Sequence, residues 1–139
     1  MTNDGTAPGY PQPRATAVNA PMLDAWRRGT LALQKCSGCG KAFFYPRALC
    51  PHCWSDAVVW INASGQGRIV SFSLVHRGIS DAFADELPVV LAEIELAEGA
   101  LMIARVMADG GAVRSGMAVR LVPLPEAKRF PLPTFCLDT

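Results

Sequence analysis

Four of the five cysteines in this 139-residue chain form two Cys-x-x-Cys pairs, Cys36 with Cys39 and Cys50 with Cys53. One such pair presents two thiolates from a single tight turn, and two pairs complete the tetrahedral four-ligand shell of a structural zinc ion. The spacing therefore predicts a zinc ribbon in which all four thiolates bind the metal. Zinc binding would contribute about 10–16 kcal/mol of apparent free energy to the folding of a segment that has little apolar core of its own.

Other roles for these thiols fit the sequence less well. A thioredoxin-type redox pair needs one Cys-x-x-Cys next to a βαβ pattern, and neither feature is present. A catalytic zinc keeps an open coordination position, whereas four thiolates fill the shell. His52, inside the second pair, is the alternative ligand if one thiol is not used. We expect Cys136, which has no histidine near it in sequence, to be a small buried apolar residue rather than a nucleophile.

The rest of the chain offers little catalytic chemistry. The two histidines are His52 and His76, and the sequence contains no nucleophile elbow, phosphate-binding loop or dinucleotide fingerprint. The acids Asp81, Asp85 and Glu86 cluster in a predicted loop before Pro88, where acid clusters usually form solvated surface. We therefore predict a protein that positions or stabilises a partner and is not itself an enzyme.

One short helix and a few short strands must position the cysteines. Residues 1–21 mix proline, glycine and small polar residues without periodicity, which predicts a disordered or extended arm. Met22 and Trp26 have the spacing of an apolar helical stripe, and Gly29 lies where that helix would end. Residues 22–60 are therefore expected to form a short helix and the zinc ribbon.

Residues 61–139 carry the pattern of a small barrel with a C-terminal tail. Five segments have strand character: Arg68–His76, Val89–Leu96, Leu101–Met107, Ala118–Val122 and Phe130–Asp138. The last contains two prolines, which predicts a strand at the edge of the sheet. Five strands with glycine-marked bends suit a closed barrel better than a sandwich. The predicted fold is mainly β, a short helix and zinc ribbon followed by a five-stranded OB-fold barrel, with another small five-stranded barrel as the alternative.

Composition and charge point to a partner protein. Half of the residues are hydrophobic and only 18% are charged, below the roughly 25% typical of soluble domains, so part of the surface is expected to be covered. The net charge is +1, but residues 14–77 carry eight cations and two acids, while residues 78–109 carry one cation and seven acids. The first twenty residues contain no apolar run, and no segment has the length of a membrane helix, so we expect a cytoplasmic protein with reduced cysteines.

The pieces "GTLALQKCSGCGKAFFYPRALCPHC", Trp60, "SGQGRIVSFSLVHRG", "LPVVLAEIELAEGALMIARV" and "GMAVRLVP" resemble, in this order, the DUF35 family. The resemblance covers roughly residues 22–125, and Trp54 departs from the small residue that often follows the second cysteine pair in that family. It implies a rubredoxin-like zinc ribbon with a structural zinc ion, followed by an OB-fold domain. It also implies a non-catalytic subunit in a hetero-oligomer with a thiolase-like enzyme: a thiolase, an acyltransferase or a side-chain-cleaving aldolase. Some members of the family help to bind acyl-CoA.

Basic residues are the candidates for contacts with such a partner or with the phosphates of CoA, namely Arg27, Arg28, Lys41, Arg47, Arg68 and Arg77. The alternative function is binding of single-stranded nucleic acid, because zinc ribbons and OB-folds can both do so with a basic groove and stacking aromatic residues. The near-zero net charge argues against that alternative. So do the acids at residues 93 and 95, on the wet face of a predicted barrel strand.

Overall fold

The structure is a computed structural model that describes residues 11–77, 81, 87–108, 112–123, 127 and 130–138. Within these residues the chain forms one helix and eight strands, numbered here in chain order: α1 (Ala20–Arg27), β1 (Ala32–Cys36), β2 (Ala42–Phe43), β3 (Val58–Asn62), β4 (Gln66–Val75), β5 (Val89–Leu96), β6 (Leu101–Met107), β7 (Ala118–Leu121) and β8 (Thr134–Leu137). The fold is therefore mainly β, as predicted.

Helix α1 begins two residues before the predicted Met22. Pro21 suits the first turn, where an amide hydrogen bond is not required, and Asn19 exchanges side chain to backbone hydrogen bonds with Thr16 just ahead of the helix. Trp26 is buried, and its indole N–H donates a hydrogen bond of 2.7 Å to the carbonyl of Phe130. The helix is thereby fastened to the C-terminal segment. None of the described helical structure has the length and apolar character needed to span a bilayer.

The predicted ribbon is built on a three-stranded antiparallel sheet in the order β2-β1-β3. β1 pairs with β2 through Gln34 opposite Phe43, and with β3 through Leu33 opposite Ile61. Leu33 and the preceding Leu31 are fully buried in the same apolar cluster as the barrel strands. The ribbon and the barrel therefore share one core.

The second half of the chain is a closed barrel in the order β4-β5-β6-β8-β7, which confirms the predicted five-stranded barrel. All its strand pairs are antiparallel except β6 with β8, which is parallel. Gly67 allows β4 and β5 to approach closely, because a Cβ there would lie 2.7 Å from Ile94 Cγ2 and 3.0 Å from the carbonyl oxygen of Glu95. Position 67 therefore requires glycine on steric grounds.

The prediction that the last strand lies at a sheet edge is wrong. β8 lies between β6 and β7, with Phe135 opposite Val106 on one side and opposite Leu121 on the other. The two prolines at 131 and 133 precede the strand, so neither removes an amide from the ladder. This strand closes the barrel.

One part of β4 is open on one side. β4 pairs with β7 only through Gln66–Arg68, and β5 is the only described strand that pairs with it beyond Ile69. Phe72 and Leu74 lie opposite the buried Ala92 and Val90, and paired residues of an antiparallel ladder share a face. Both side chains are nevertheless exposed, Phe72 by 39% and Leu74 by 48%. The barrel therefore presents an apolar face there, called the open β4 face below.

Candidate metal centre and its surroundings

The structure brings the four predicted ligands together. The Sγ atoms of Cys36, Cys39, Cys50 and Cys53 all lie within 4.8 Å of one another, with 3.6 Å between Cys36 and Cys53 and 3.7 Å between Cys39 and Cys50. A tetrahedral zinc ion with bonds of about 2.3 Å requires sulfur–sulfur separations of about 3.8 Å. None of these cysteines forms a disulfide. The donor set and its spacing therefore fit a structural zinc ion.

Backbone amides of the two knuckles, residues 36–40 and 50–54, surround the sulfurs. The amides of Gly38 and Cys39 donate to Cys36 Sγ at 3.3 and 3.4 Å, and that of His52 donates to Cys50 Sγ at 3.3 Å. Such hydrogen bonds stabilise thiolates, so the turns are prepared for a charged cluster. The sequence signals for these turns are the Cys-x-x-Cys spacing, Gly38 and Gly40 in the first knuckle, and Pro51 in the second.

The thiols of this cluster differ in acidity. The amide of Cys39 is the main reason that the pKa of Cys36 is lowered to about 6. The amide of Ser55 also lowers the pKa of Cys53, but the neighbouring sulfur of Cys36, burial and the other two sulfurs outweigh it and raise this pKa to about 12. One thiolate thus forms readily and the last proton is hard to remove. A bound dication reverses this by neutralising the accumulated charge.

His52 and Cys136 lie outside the cluster of four. The side chain of His52 is exposed, and its ring meets the edge of Phe43 at a centroid distance of 6.5 Å. Cys136 lies in β8, half-buried, and packs against the small apolar cluster that contains Trp26. Four sulfurs suffice for the shell, so the structure gives the alternative histidine ligand no role in it.

A buried glutamine holds the loop between the knuckles. The side chain amide of Gln34 donates to the carbonyl of Arg47 at 2.8 Å, and its oxygen accepts from the Arg47 amide at 2.7 Å. Gln34 is 5% exposed, so both bonds are shielded from water. No sequence motif marks this residue, since a single glutamine in a strand carries no pattern.

We expect Gln34→Leu to lower the free energy of unfolding by about 1–3 kcal/mol, because it leaves two backbone groups of the loop without partners. Arg47→Ala is the matched control, since it keeps the backbone groups that Gln34 binds. Urea unfolding of the metal-loaded proteins measures both. Equal losses of unfolding free energy in the two variants would contradict the role assigned to the Gln34 side chain.

A tyrosine fastens the ribbon to the barrel. The hydroxyl of Tyr45 accepts a hydrogen bond of 3.2 Å from the amide of Ile103 in β6, and the neighbouring Phe44 packs against the barrel core. Tyr45 reaches this position with a positive φ of 63°. No local sequence pattern indicates this role, because its partner is 58 residues away.

All six candidate cations are exposed, and they are spread over three parts of the fold: Arg27 and Arg28 at the end of α1, Lys41 and Arg47 in the ribbon, and Arg68 in β4 with Arg77 just past its end. Arg27 forms a 2.9 Å ion pair with Asp24, in which both side chains are more than half exposed. A pair of this kind adds little stability and leaves the arginine available to a stronger partner.

The two cations of β4 are far apart. Arg68 lies near the start of the strand, where its guanidinium donates to the carbonyl of Gly116 at 3.3 Å, and Arg77 lies two residues past the end at Val75. At about 3.3 Å per residue, roughly 20 Å or more separates them. A single phosphate group cannot contact both, so any phosphate contact involves a subset of the six.

The sequence and the structure are both similar to those of known proteins. Residues 23–59 match the ChsH2 rubredoxin-like zinc ribbon domain, and residues 60–123 match the ChsH2 C-terminal OB-fold domain. The chain is 35% identical over 103 residues to a "DUF35 domain-containing scaffold protein" of Methanothermobacter thermautotrophicus, covering 70% of this chain and 77% of that protein. It is 30% identical over 126 residues to a "probable enoyl-CoA hydratase alpha subunit" of Thermomonospora curvata, covering 90% of this chain but spanning only 39% of that protein.

Among solved structures, the chain is similar to one chain of the "Ltp2-ChsH2(DUF35) aldolase", with a TM-score of 0.76 and 30% sequence identity. That similarity covers 92% of this chain and all of the other. It extends over the ribbon, the barrel and their junction. The chain belongs to the DUF35 family and has its ChsH2-type arrangement of a rubredoxin-like zinc ribbon followed by an OB-fold barrel.

Proposed function

We propose that this chain is a non-catalytic accessory subunit that binds and stabilises a thiolase-like enzyme, holds one structural zinc ion, and contributes to the binding of acyl-CoA. The observation that carries the proposal is the similarity, over nearly the whole chain, to one chain of the Ltp2-ChsH2(DUF35) aldolase. The name of the Methanothermobacter relative as a scaffold protein supports the same role. The reacting groups would be those of the catalytic partner.

The proposed zinc ion has a structural role. Four sulfurs at tetrahedral spacing leave no open position for a substrate, and two of them, Cys36 and Cys50, are fully buried. Residues 36–58 contribute only a small apolar cluster of their own, built from these two cysteines, Phe43 and Val58. The ion would therefore hold together a segment that apolar burial does not stabilise sufficiently.

Exposed apolar surface supports a partner protein. Twelve large apolar side chains are exposed among the described residues, and several form continuous features rather than isolated points. One feature is the open β4 face, with Phe72 and Leu74, and another is the outer face of β6, with Leu101 and Ile103. Apolar surface that is grouped in this way typically marks a contact with another protein.

The proposed contact with acyl-CoA rests on charge and position. Arg68 lies on β4, the strand whose open face is apolar, so a cation and an apolar surface lie along the same element. A ligand that has phosphates at one end and an acyl chain at the other needs both a cation and an apolar surface, and β4 carries both. A cytoplasmic location remains a prediction of the sequence analysis.

Co-expression with a thiolase-like protein of the same organism, chosen from the genes adjacent to the one that encodes this chain, tests the proposal. We expect the two proteins to elute together in size-exclusion chromatography with light scattering. Omission of this chain should lower the soluble yield and the activity of the partner several-fold, because apolar interface would be exposed. A partner that is equally soluble and active alone would refute the proposal, as would turnover of acyl-CoA by this chain alone.

A further inference from the structure

Trp54 is the most exposed large apolar residue that the structure describes, with 76% of its surface accessible. Its backbone also has a positive φ of 67°. Left-handed backbone is disfavoured for residues with a Cβ, and a bulky side chain there is uncommon. Both the exposure of the indole and the unfavourable backbone conformation of Trp54 therefore require an explanation.

Comparison of the two knuckles shows which residue type suits the position directly after the second cysteine of each pair. In the first, the amide of Gly40, one residue after Cys39, donates to the carbonyl of Cys36 at 2.8 Å. In the second, the amide of Trp54, one residue after Cys53, donates to the carbonyl of Cys50 at 2.9 Å. Gly40 has a φ of 79°, so the two residues are equivalent in conformation and in hydrogen bonding. Glycine meets the requirement of this turn without steric conflict, and tryptophan does not.

Tyr45 is the other described non-glycine residue with positive φ, and its side chain accounts for its conformation. Its hydroxyl binds the amide of Ile103, and its ring lies against Phe44 at a centroid distance of 5.2 Å. Within the described residues, the indole of Trp54 forms no comparable hydrogen bond or ring contact. Contacts within the chain therefore offset the positive φ of Tyr45, and the described residues provide no such contacts for Trp54.

We propose that Trp54 is an anchor residue that inserts into an apolar pocket on the catalytic partner. This inference rests on the proposed function, and so on the similarity to one chain of the Ltp2-ChsH2(DUF35) aldolase, and it specifies part of that interface. Tryptophan is among the residues that most often dominate the energy of a protein interface.

The decisive variant is Trp54→Gly, because the proposal predicts effects of opposite sign. In the zinc-loaded chain alone, we expect the melting temperature to be unchanged or raised by a few degrees, since glycine relieves the backbone conformation. In the complex with the co-expressed thiolase-like partner, we expect the dissociation constant to rise roughly 30-fold or more. Biolayer interferometry measures the second effect.

Two further variants separate the outcomes. Trp54→Asn tolerates positive φ and should also weaken the complex, whereas Val59→Ser, another exposed apolar position of the ribbon, should change the affinity less than threefold. A Trp54→Gly chain that melts lower and binds the partner as tightly as wild type would overturn the proposal and make Trp54 structural. If wild type itself forms no complex, the proposed function fails, and the anchor fails with it.

Discussion

Replacement of Cys50 by serine will abolish stoichiometric zinc binding and unfold the ribbon. Cys50 is fully buried, its sulfur lies 3.7 Å from that of Cys39, and it accepts a hydrogen bond from the amide of His52. Serine offers a poorer zinc ligand, and a ribbon without its metal has too little core to stay folded. The zinc affinity at stake, about 10–16 kcal/mol, is as large as the whole stability of a typical domain.

Mass spectrometric metal analysis of the purified chain measures this effect directly. We expect one zinc per wild-type chain, and less than a tenth of that in the Cys50→Ser protein. Cys136→Ser is the matched control, because it removes a thiol that lies in β8 and outside the cluster, and it should retain the full metal content. A Cys50→Ser protein that keeps one equivalent of zinc would exclude the four-thiolate site.

We expect loss of the zinc ion to destabilise the barrel as well as the ribbon. Leu31 and Leu33, on the segment that leads into the first knuckle, belong to the apolar cluster that fills the barrel, and Phe44 packs against it from the loop between the knuckles. The hydrogen bond from Ile103 to Tyr45 adds a second link between the two parts. The shared core predicts that chelation of the metal lowers the melting temperature of the whole protein in one transition.

The parts of the molecule that the sequence could predict are those specified by short-range patterns. The metal cluster follows from thiol identity and spacing, because each knuckle closes within five residues. The strands β5 and β6 follow from alternation, since Ala92, Ile94 and Met102 face inward while Glu95 and Ile103 face out. Neither inference needs the position of a distant residue.

The parts that the sequence could not predict depend on distant partners. The parallel pairing of β8 with β6 places a strand preceded by prolines between two other strands of the barrel wall. That place exists only because the barrel closes. Tyr45 and Gln34 gain their roles from Ile103 and from the backbone of Arg47, which no local pattern indicates. The six cations could be chosen by charge, but their spread over three parts of the fold could not be foreseen.

Phe135 is the core residue of β8, the strand that closes the barrel. Phe135 is completely buried, and it is paired with Val106 on one side and Leu121 on the other, at the junction that closes the barrel. We expect Phe135→Ala to lower the free energy of unfolding by about 3–5 kcal/mol, the usual cost of an aromatic cavity in a core that cannot collapse. Urea unfolding of the zinc-loaded protein, with the metal content checked before and after, measures the change.

Asp138→Asn is the control for this experiment. Asp138 follows the same strand, but it is exposed and its carboxylate lies 3.9 Å from the guanidinium of Arg120, so its replacement should change stability by less than about 1 kcal/mol. If β8 lay at the edge of the sheet, as the prolines before it suggest, Phe135 would be only half covered. The two variants would then lose similar amounts of free energy of unfolding. A difference of several kcal/mol between them is therefore the expected consequence of a strand that closes the barrel, and a difference below about 1 kcal/mol would contradict it.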